Sequence, residues 1–236
     1  MNPTLLPRFV RSTRCVTALV MTFTLVFATA AATADDSASG DSLVRAAKLV
    51  YANNKSSVCF ADEFLTVVAD ETHIETHPEL VPVKSDSGEL FDYPFAVMTG
   101  EGAFNLTEPQ LDNLRTYLTH GGFVIASAGC SSTDWNRSFG HAVDQLFPDA
   151  QLTTLEADHP IFHTVYDITS SKYKSGRAKL PELRALEFDG RVVMIWSPDG
   201  LNDTANAGPN CCCCGGNEIK SAKQLNVNIL AYALTH

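Results

Sequence analysis

The residues Phe91–Ser132, FDYPFAVMTGEGAFNLTEPQLDNLRTYLTHGGFVIASAGCSS, decide how the rest of this chain folds. Tyr93–Met98 is an apolar run with Pro94 near its start and Gly100 after it, the pattern of a strand buried on both faces. Thr107 then precedes Glu108, Pro109 and Gln110. A threonine N-cap, a proline in the first turn and a glutamine three residues on form a capping-box start signal. Leu111, Leu114 and Leu118 recur at helical spacing and predict one apolar face. Gly121 and Gly122 stop the helix, because glycine enters the left-handed cap without strain. Phe123–Ala126 is the next buried strand, and Cys130 follows it. Two parallel strands joined by a helix are the unit of an α/β sheet, in which ligands sit beyond the carboxyl ends of the strands. The stretch therefore places Cys130 at a candidate site.

Outward from this unit the same alternation continues. Ala46–Tyr51 predicts a first strand, and Ser56 or Ser57 a cap for a helix running to about Ala69, with Phe60, Phe64, Val67 and Val68 facing inward. Leu80–Val83 predicts a second strand. Beyond Cys130, Thr133 or Asp134 is expected to cap a helix that buries Phe139, Val143, Leu146 and Phe147 and stops at Pro148. Ala150–Leu155 reads as a strand, residues 158–163 as a helical turn capped by Asp158, and residues 167–181 as irregular. Leu183–Phe188 and Arg191–Trp196 flank Asp189-Gly190, the signature of a hairpin with a type I′ turn. A long loop over residues 197–217 precedes a closing helix, Ala222–Leu234. The sum is a three-layer α/β domain with a mostly parallel sheet and a late antiparallel hairpin.

The N-terminus reads as a targeting segment. Arg8, Arg11 and Arg14 precede the apolar run Val16–Phe27, and Ala32-Thr33-Ala34 fits an A-x-A cleavage pattern. The expected organisation is a signal peptide over residues 1–34, a polar linker over 35–45 and one α/β domain over 46–236. Cys15 lies before the apolar run and follows no lipobox, which argues against a lipoprotein. Cleavage leaves no membrane span and implies export to the periplasm or the exterior. Of the chain's 17 Lys+Arg and 27 Asp+Glu, three Arg and no acid fall within residues 1–34, so the mature part is formally −13. Such a surface repels nucleic acid and anionic lipid.

Six cysteines remain in the mature chain: Cys59, Cys130, Cys211, Cys212, Cys213 and Cys214. An even count in an exported protein invites disulfides. Yet only Cys59 and Cys130 lie outside the run of four, and two run cysteines would be left over if both bridged to it. A thiolate cluster is the alternative use of the same residues, with Gly215 and Gly216 turning the backbone so that sulfurs converge. Zinc, copper(I) and iron–sulfur centres take such ligands. Cys59 follows the first strand and Cys130 a central one, so both are expected at one sheet edge. Three readings stay open: a metal or redox thiol site built from these six cysteines, structural disulfides bracing the loop of a recognition module, and a catalytic thiol. His159 and His163 are spaced i, i+4, as paired metal ligands on a helix would be, although local packing explains them as well. Asp199, Asn202 and Asp203 offer oxygen ligands without EF-hand spacing, and Glu101 at a strand end faces either the cleft or solvent.

The segments YPFAVMTGEGAF, LTEPQLDNLRTYLTHGGFVIAS, ADHPIFHTVYDI, DGRVVMIWSPDGLND and NVNILAYALT, in that order, resemble a bacterial family of uncharacterised secreted domains, domain of unknown function 4159. SSVCFADEFL, AGCSSTDW and CCCCGGNEI resemble a cysteine-bearing branch of it. The resemblance implies a class I glutamine amidotransferase-like or flavodoxin-like fold and no particular activity. In the amidotransferase-like fold a nucleophilic cysteine sits on a tight turn in a G-x-C-x-G setting. Here Ala128-Gly129-Cys130-Ser131-Ser132 has its glycine one residue early and lacks the second. The resemblance makes Cys130 the candidate nucleophile of a Cys-dependent hydrolase, with His159 or His163 as base; neither histidine precedes a glutamate by two residues.

Overall fold

A computed structural model describes residues 43–53, 56–173, 175–208, 210–211 and 219–236. The expected signal peptide, most of the linker, and Cys212, Cys213 and Cys214 lie outside the described residues. The elements run β1 (Ala46–Val50), α1 (Glu63–Glu71), β2 (Val81–Lys84), β3 (Phe95–Gly100), α2 (Glu108–Thr119), β4 (Phe123–Ala128), α3 (Thr133–Leu146), β5 (Thr153–Thr154), β6 (Ser171–Lys172), β7 (Ala178–Lys179), β8 (Arg184–Phe188), β9 (Arg191–Ser197) and α4 (Ala222–Thr235). Seven strands form one sheet in the order β2-β1-β3-β4-β9-β8-β5. The pairs from β2 through to β9 are parallel, whereas β8 and β5 are antiparallel to their neighbours.

The central unit forms as its residues dictate. Every residue of β3 and β4 is buried, because helices cover both faces of the sheet. Odd positions such as Phe95, Val97, Phe123 and Ile125 pack with Phe64, Leu65 and Val68 of α1 and Leu225 and Ile229 of α4. Even positions such as Ala96, Met98, Val124 and Ala126 pack with Leu111, Leu114 and Leu118 of α2 and Trp135, Phe139 and Val143 of α3. The capping box of Thr107 and Gln110 is present, and Asp189 (φ 50°) and Gly190 (φ 76°) carry the two left-handed positions that a type I′ hairpin requires. No described helix is long and apolar enough to cross a membrane.

Five local expectations are corrected. Helix α1 begins at Glu63 rather than after Ser56 or Ser57, because the Ser57 N–H donates to Thr99 O (3.2 Å) and its hydroxyl serves Cys59 and Glu101. The cap of α3 is Ser132, whose Oγ accepts from Trp135 N. The turn at Pro160–Phe162 is a 3₁₀ turn capped by His159, not Asp158. The strand expected over 150–155 shrinks to Thr153–Thr154, where β8 offers it a partner, and the expected irregular segment holds the short β6–β7 hairpin.

Candidate functional site at the carboxyl edge

Strands β1, β3, β4 and β9 are adjacent and parallel, so the loops that follow them emerge at one edge. Those loops carry Cys59, Glu101, Cys130 and Cys211, respectively. The chain leaves β1 toward β2 on one side, then crosses to β3 on the other. The β1/β3 boundary is thus the topological switch point, the place where an open α/β sheet leaves a crevice for ligands.

Cys59 and Cys211 are joined by a disulfide, with their Cα atoms 4.9 Å apart. Cys130 is disulfide-bonded as well. The sulfurs of Cys59 and Cys130 and a carboxylate oxygen of Glu101 all lie within 4.8 Å of one another, and Cys130 Sγ is 3.5 Å from Glu101 Oε1. Cys59 is buried, whereas Cys130 and Cys211 are partly accessible and Glu101 is exposed. The Ser57 hydroxyl donates to Glu101 Oε1 (3.3 Å) and accepts from Cys59 N (3.2 Å), so one serine orients two of the site's groups.

The turn that presents Cys130 is held from several directions. Cys130 (φ 51°) and Ser131 (φ 56°) are consecutive non-glycine residues in the left-handed region, each costing on the order of 1–2 kcal/mol. Ser131 Oγ donates to Asp199 O (2.8 Å), Asn136 Nδ2 to Pro198 O (2.8 Å), and Gly102 N to Ser132 Oγ (3.1 Å). A Cβ on Gly129 would stand 2.8 Å from Glu101 Cγ and 2.9 Å from Gly100 O, which leaves no room for one. A Cβ on Gly200 (φ 88°) would stand 2.5 Å from Ala128 O. Glycine at these two positions is what lets the loops after β3, β4 and β9 close on one another. Beneath them, Ser127 Oγ accepts from Leu201 N (2.7 Å), and Asn226 of α4 donates to Leu201 O (3.0 Å).

Neither histidine joins the site. His159 accepts from Ile161 N and packs on Tyr232; burial lowers its pKa. His163 Nε2 bonds Ala157 O (2.7 Å) and Nδ1 bonds Asp167 Oδ1 (2.5 Å). The Ala157 carbonyl and then the Asp167 carboxylate raise its pKa by favouring the doubly protonated ring. A raised folded pKa contributes stability that is complete below the ordinary histidine value and is lost as pH rises through the folded one. In thermal melts, His163→Gln is therefore expected to trail the wild type at about pH 5 and to approach it at about pH 9. An equal gap at both pH values would dismiss the clasp.

Asp199, Asn202 and Asp203 do not converge as a cation site. Asp199 accepts from Tyr173 (2.8 Å) and pairs with Lys179 (3.1 Å), Asn202 is buried beside Ser127, and Asp203 accepts from Asn206. Glu101 was legible as a strand-end carboxylate. Ser57 was legible only as a helix cap and Gly129 only as an early glycine before Cys130, and Gly200 carried no signal beyond its place in a loop.

Fold and rim together define an open α/β domain whose chemistry-bearing side chains gather at the switch-point crevice. The chain belongs to the family described as Domain of unknown function (DUF4159), which it matches over residues 45–234. No curated protein matches it.

Proposed function

We propose that this is an exported domain whose carboxyl edge carries a redox thiol site that becomes a metal site when reduced. The observation that carries the reading is the convergence of Cys59, Cys130 and Glu101 within 4.8 Å at the switch point. When oxidised, the Cys59–Cys211 disulfide clamps the loop after β9 against the loop after β1. Two electrons and two protons from an external dithiol open it to two thiols, and a second two-electron, two-proton reduction by the same class of dithiol frees Cys130 from its own disulfide. Sulfurs sharing a tetrahedral zinc stand about 3.8 Å apart, given Zn–S bonds of about 2.3 Å, so two cysteines and a carboxylate within 4.8 Å need contract by only about 1 Å. Cys211 and its neighbours Cys212, Cys213 and Cys214 are the source of further thiolates, and zinc, copper(I) or an iron–sulfur centre fits that donor set. We read the order of the parallel strands, β2-β1-β3-β4-β9, as the 2-1-3-4-5 order of flavodoxin-like domains, consistent with the likeness to the amidotransferase-like fold. The formal charge of the mature chain speaks against nucleic-acid partners.

Thiol counting and metal analysis on the mature protein test this. The isolated protein should show Cys59, Cys130 and Cys211 unreactive toward thiol reagents. After anaerobic reduction it should retain about one equivalent of zinc through gel filtration, and Cys130→Ser should lose that metal. Reduced protein that retains no zinc, copper or iron would reject the metal site. It would leave the second reading, a non-catalytic recognition module with a disulfide-braced loop, which the oxidised state of all three described site cysteines favours.

A further inference from the structure

A separate cavity of about 380 Å³ opens beside the disulfide. One wall is Val58, Phe60 and Ala61, the residues flanking Cys59; another is the start of α1 with Asp62, Glu63 and Thr66; Asn206 and Gly208 close it from the loop after β9. Lys48 reaches it from the middle of β1, on the sheet face that α1 and α4 cover. Among the described residues no hydrogen bond or ion pair engages the Lys48 ammonium, and Asp62 acts on it through space. One Asp62 oxygen accepts from Leu80 N (3.3 Å), and its side chain makes no cap bond to α1.

We propose that this cavity binds a small zwitterion of the amino-acid class, its carboxylate on Lys48 and its ammonium on Asp62 and Glu63. The charge pattern selects that chemistry. A simple carboxylate meets Asp62 and Glu63 as well as Lys48, with Glu79 close enough to act on Asp62, and a simple amine meets Lys48. Only a ligand carrying both charges is attracted at each end. Burial lowers the Lys48 pKa and raises that of Asp62, so each group is held with less solvation than its charge prefers, and a complementary ligand charge relieves both. The volume exceeds what glycine needs and leaves space for a side chain.

The cavity also links to the crevice. Val58 and Phe60 of its lining flank Cys59, and Gly208 accepts from the Cys211 N–H (3.0 Å), so one part of the wall hangs on each end of the Cys59–Cys211 disulfide. Opening the disulfide frees one wall from the other, so the zwitterion binds more weakly to reduced protein. This coupling rests on the redox reading above; the zwitterion site does not.

Calorimetry on the oxidised mature protein decides the matter, with L-alanine, propionate and ethylamine as probes. L-Alanine should bind at least about tenfold more tightly than either single-charge probe; Lys48→Met should erase its advantage over ethylamine, and Asp62→Asn should cut its advantage over propionate. Asparagine keeps the acceptor for Leu80 N, and circular dichroism verifies that both variants fold. Equal binding of L-alanine and propionate, or of L-alanine and ethylamine, by the wild type overturns the site without recourse to a variant. Equal L-alanine affinity before and after reduction, with thiols counted to prove the disulfide open, overturns the coupling. A disulfide that no thiol reductant opens in the folded protein instead refutes the redox reading and leaves the zwitterion result standing.

Discussion

Removing both ends of the crosslink, in the double variant Cys59→Ala/Cys211→Ala, is expected to lower the melting temperature of the oxidised protein by roughly 6–15 °C. The bridge joins residues 152 positions apart, so in the unfolded chain it closes a loop spanning most of the domain. The chain-entropy estimate for a loop of that length is about 5 kcal/mol, and native disulfides commonly contribute about 2–5 kcal/mol. For a domain of this size each kcal/mol moves the midpoint by about 2–4 °C. Alanine suits the Cys59 position, because that side chain is 2% exposed and serine would add a buried hydroxyl. Scanning calorimetry of wild type and variant, each with and without dithiothreitol, measures the effect. The variant should also lose protection from proteolysis in the loop after β9. A midpoint within about 2 °C of wild type would mean that the loop is held by its hydrogen bonds and the bridge is dispensable.

The second large effect is expected at Trp135, in the first turn of α3 directly after the Cys130 turn. Its side chain is fully buried, stacks on Phe139 with ring centroids 5.0 Å apart, and contacts Phe104. Its Nε1–H donates to Tyr51 Oη (2.6 Å), and Tyr51 in turn donates to Thr99 O (3.0 Å). Burial pushes the Tyr51 phenol pKa well above its usual value, so it stays protonated and keeps that donation. The relay ties α3, the end of β1 and the end of β3 together beneath the site. Trp135→Ala should cost about 3–5 kcal/mol in urea unfolding, the range for emptying a large aromatic site. Trp135→Phe keeps most of the packing and loses the indole donor, so it should cost markedly less. If alanine costs no more than phenylalanine, the relay and not the packing holds the turn.

How much of this was legible beforehand differs by element. The β3–α2–β4 unit could be read residue by residue because its signals are local: an apolar run, a capping box, a double glycine. The hairpin at Asp189-Gly190 was legible for the same reason. The start of α1 was not, since Ser57 resembles any N-cap until Thr99 and Glu101 arrive from 42 to 44 positions away to take its hydrogen bonds. The short β5 likewise depends on β8, which only folding brings near, whereas the His159 cap is a local bond from Ile161 N, two residues on.

The same division applies to the site. The alternation of strand and helix follows from hydrophobic period, and period is written into adjacent residues. That sets the α/β class and sends Cys59 and Cys130 to one edge. Which sulfur meets which, that Glu101 comes within 4.8 Å of both Cys59 and Cys130, and that Lys48 lines a cavity with Asp62 were decided by the tertiary structure. Those distances are set by how four loops from adjacent parallel strands pack against Gly129 and Gly200, and no stretch of sequence contains more than one of those loops.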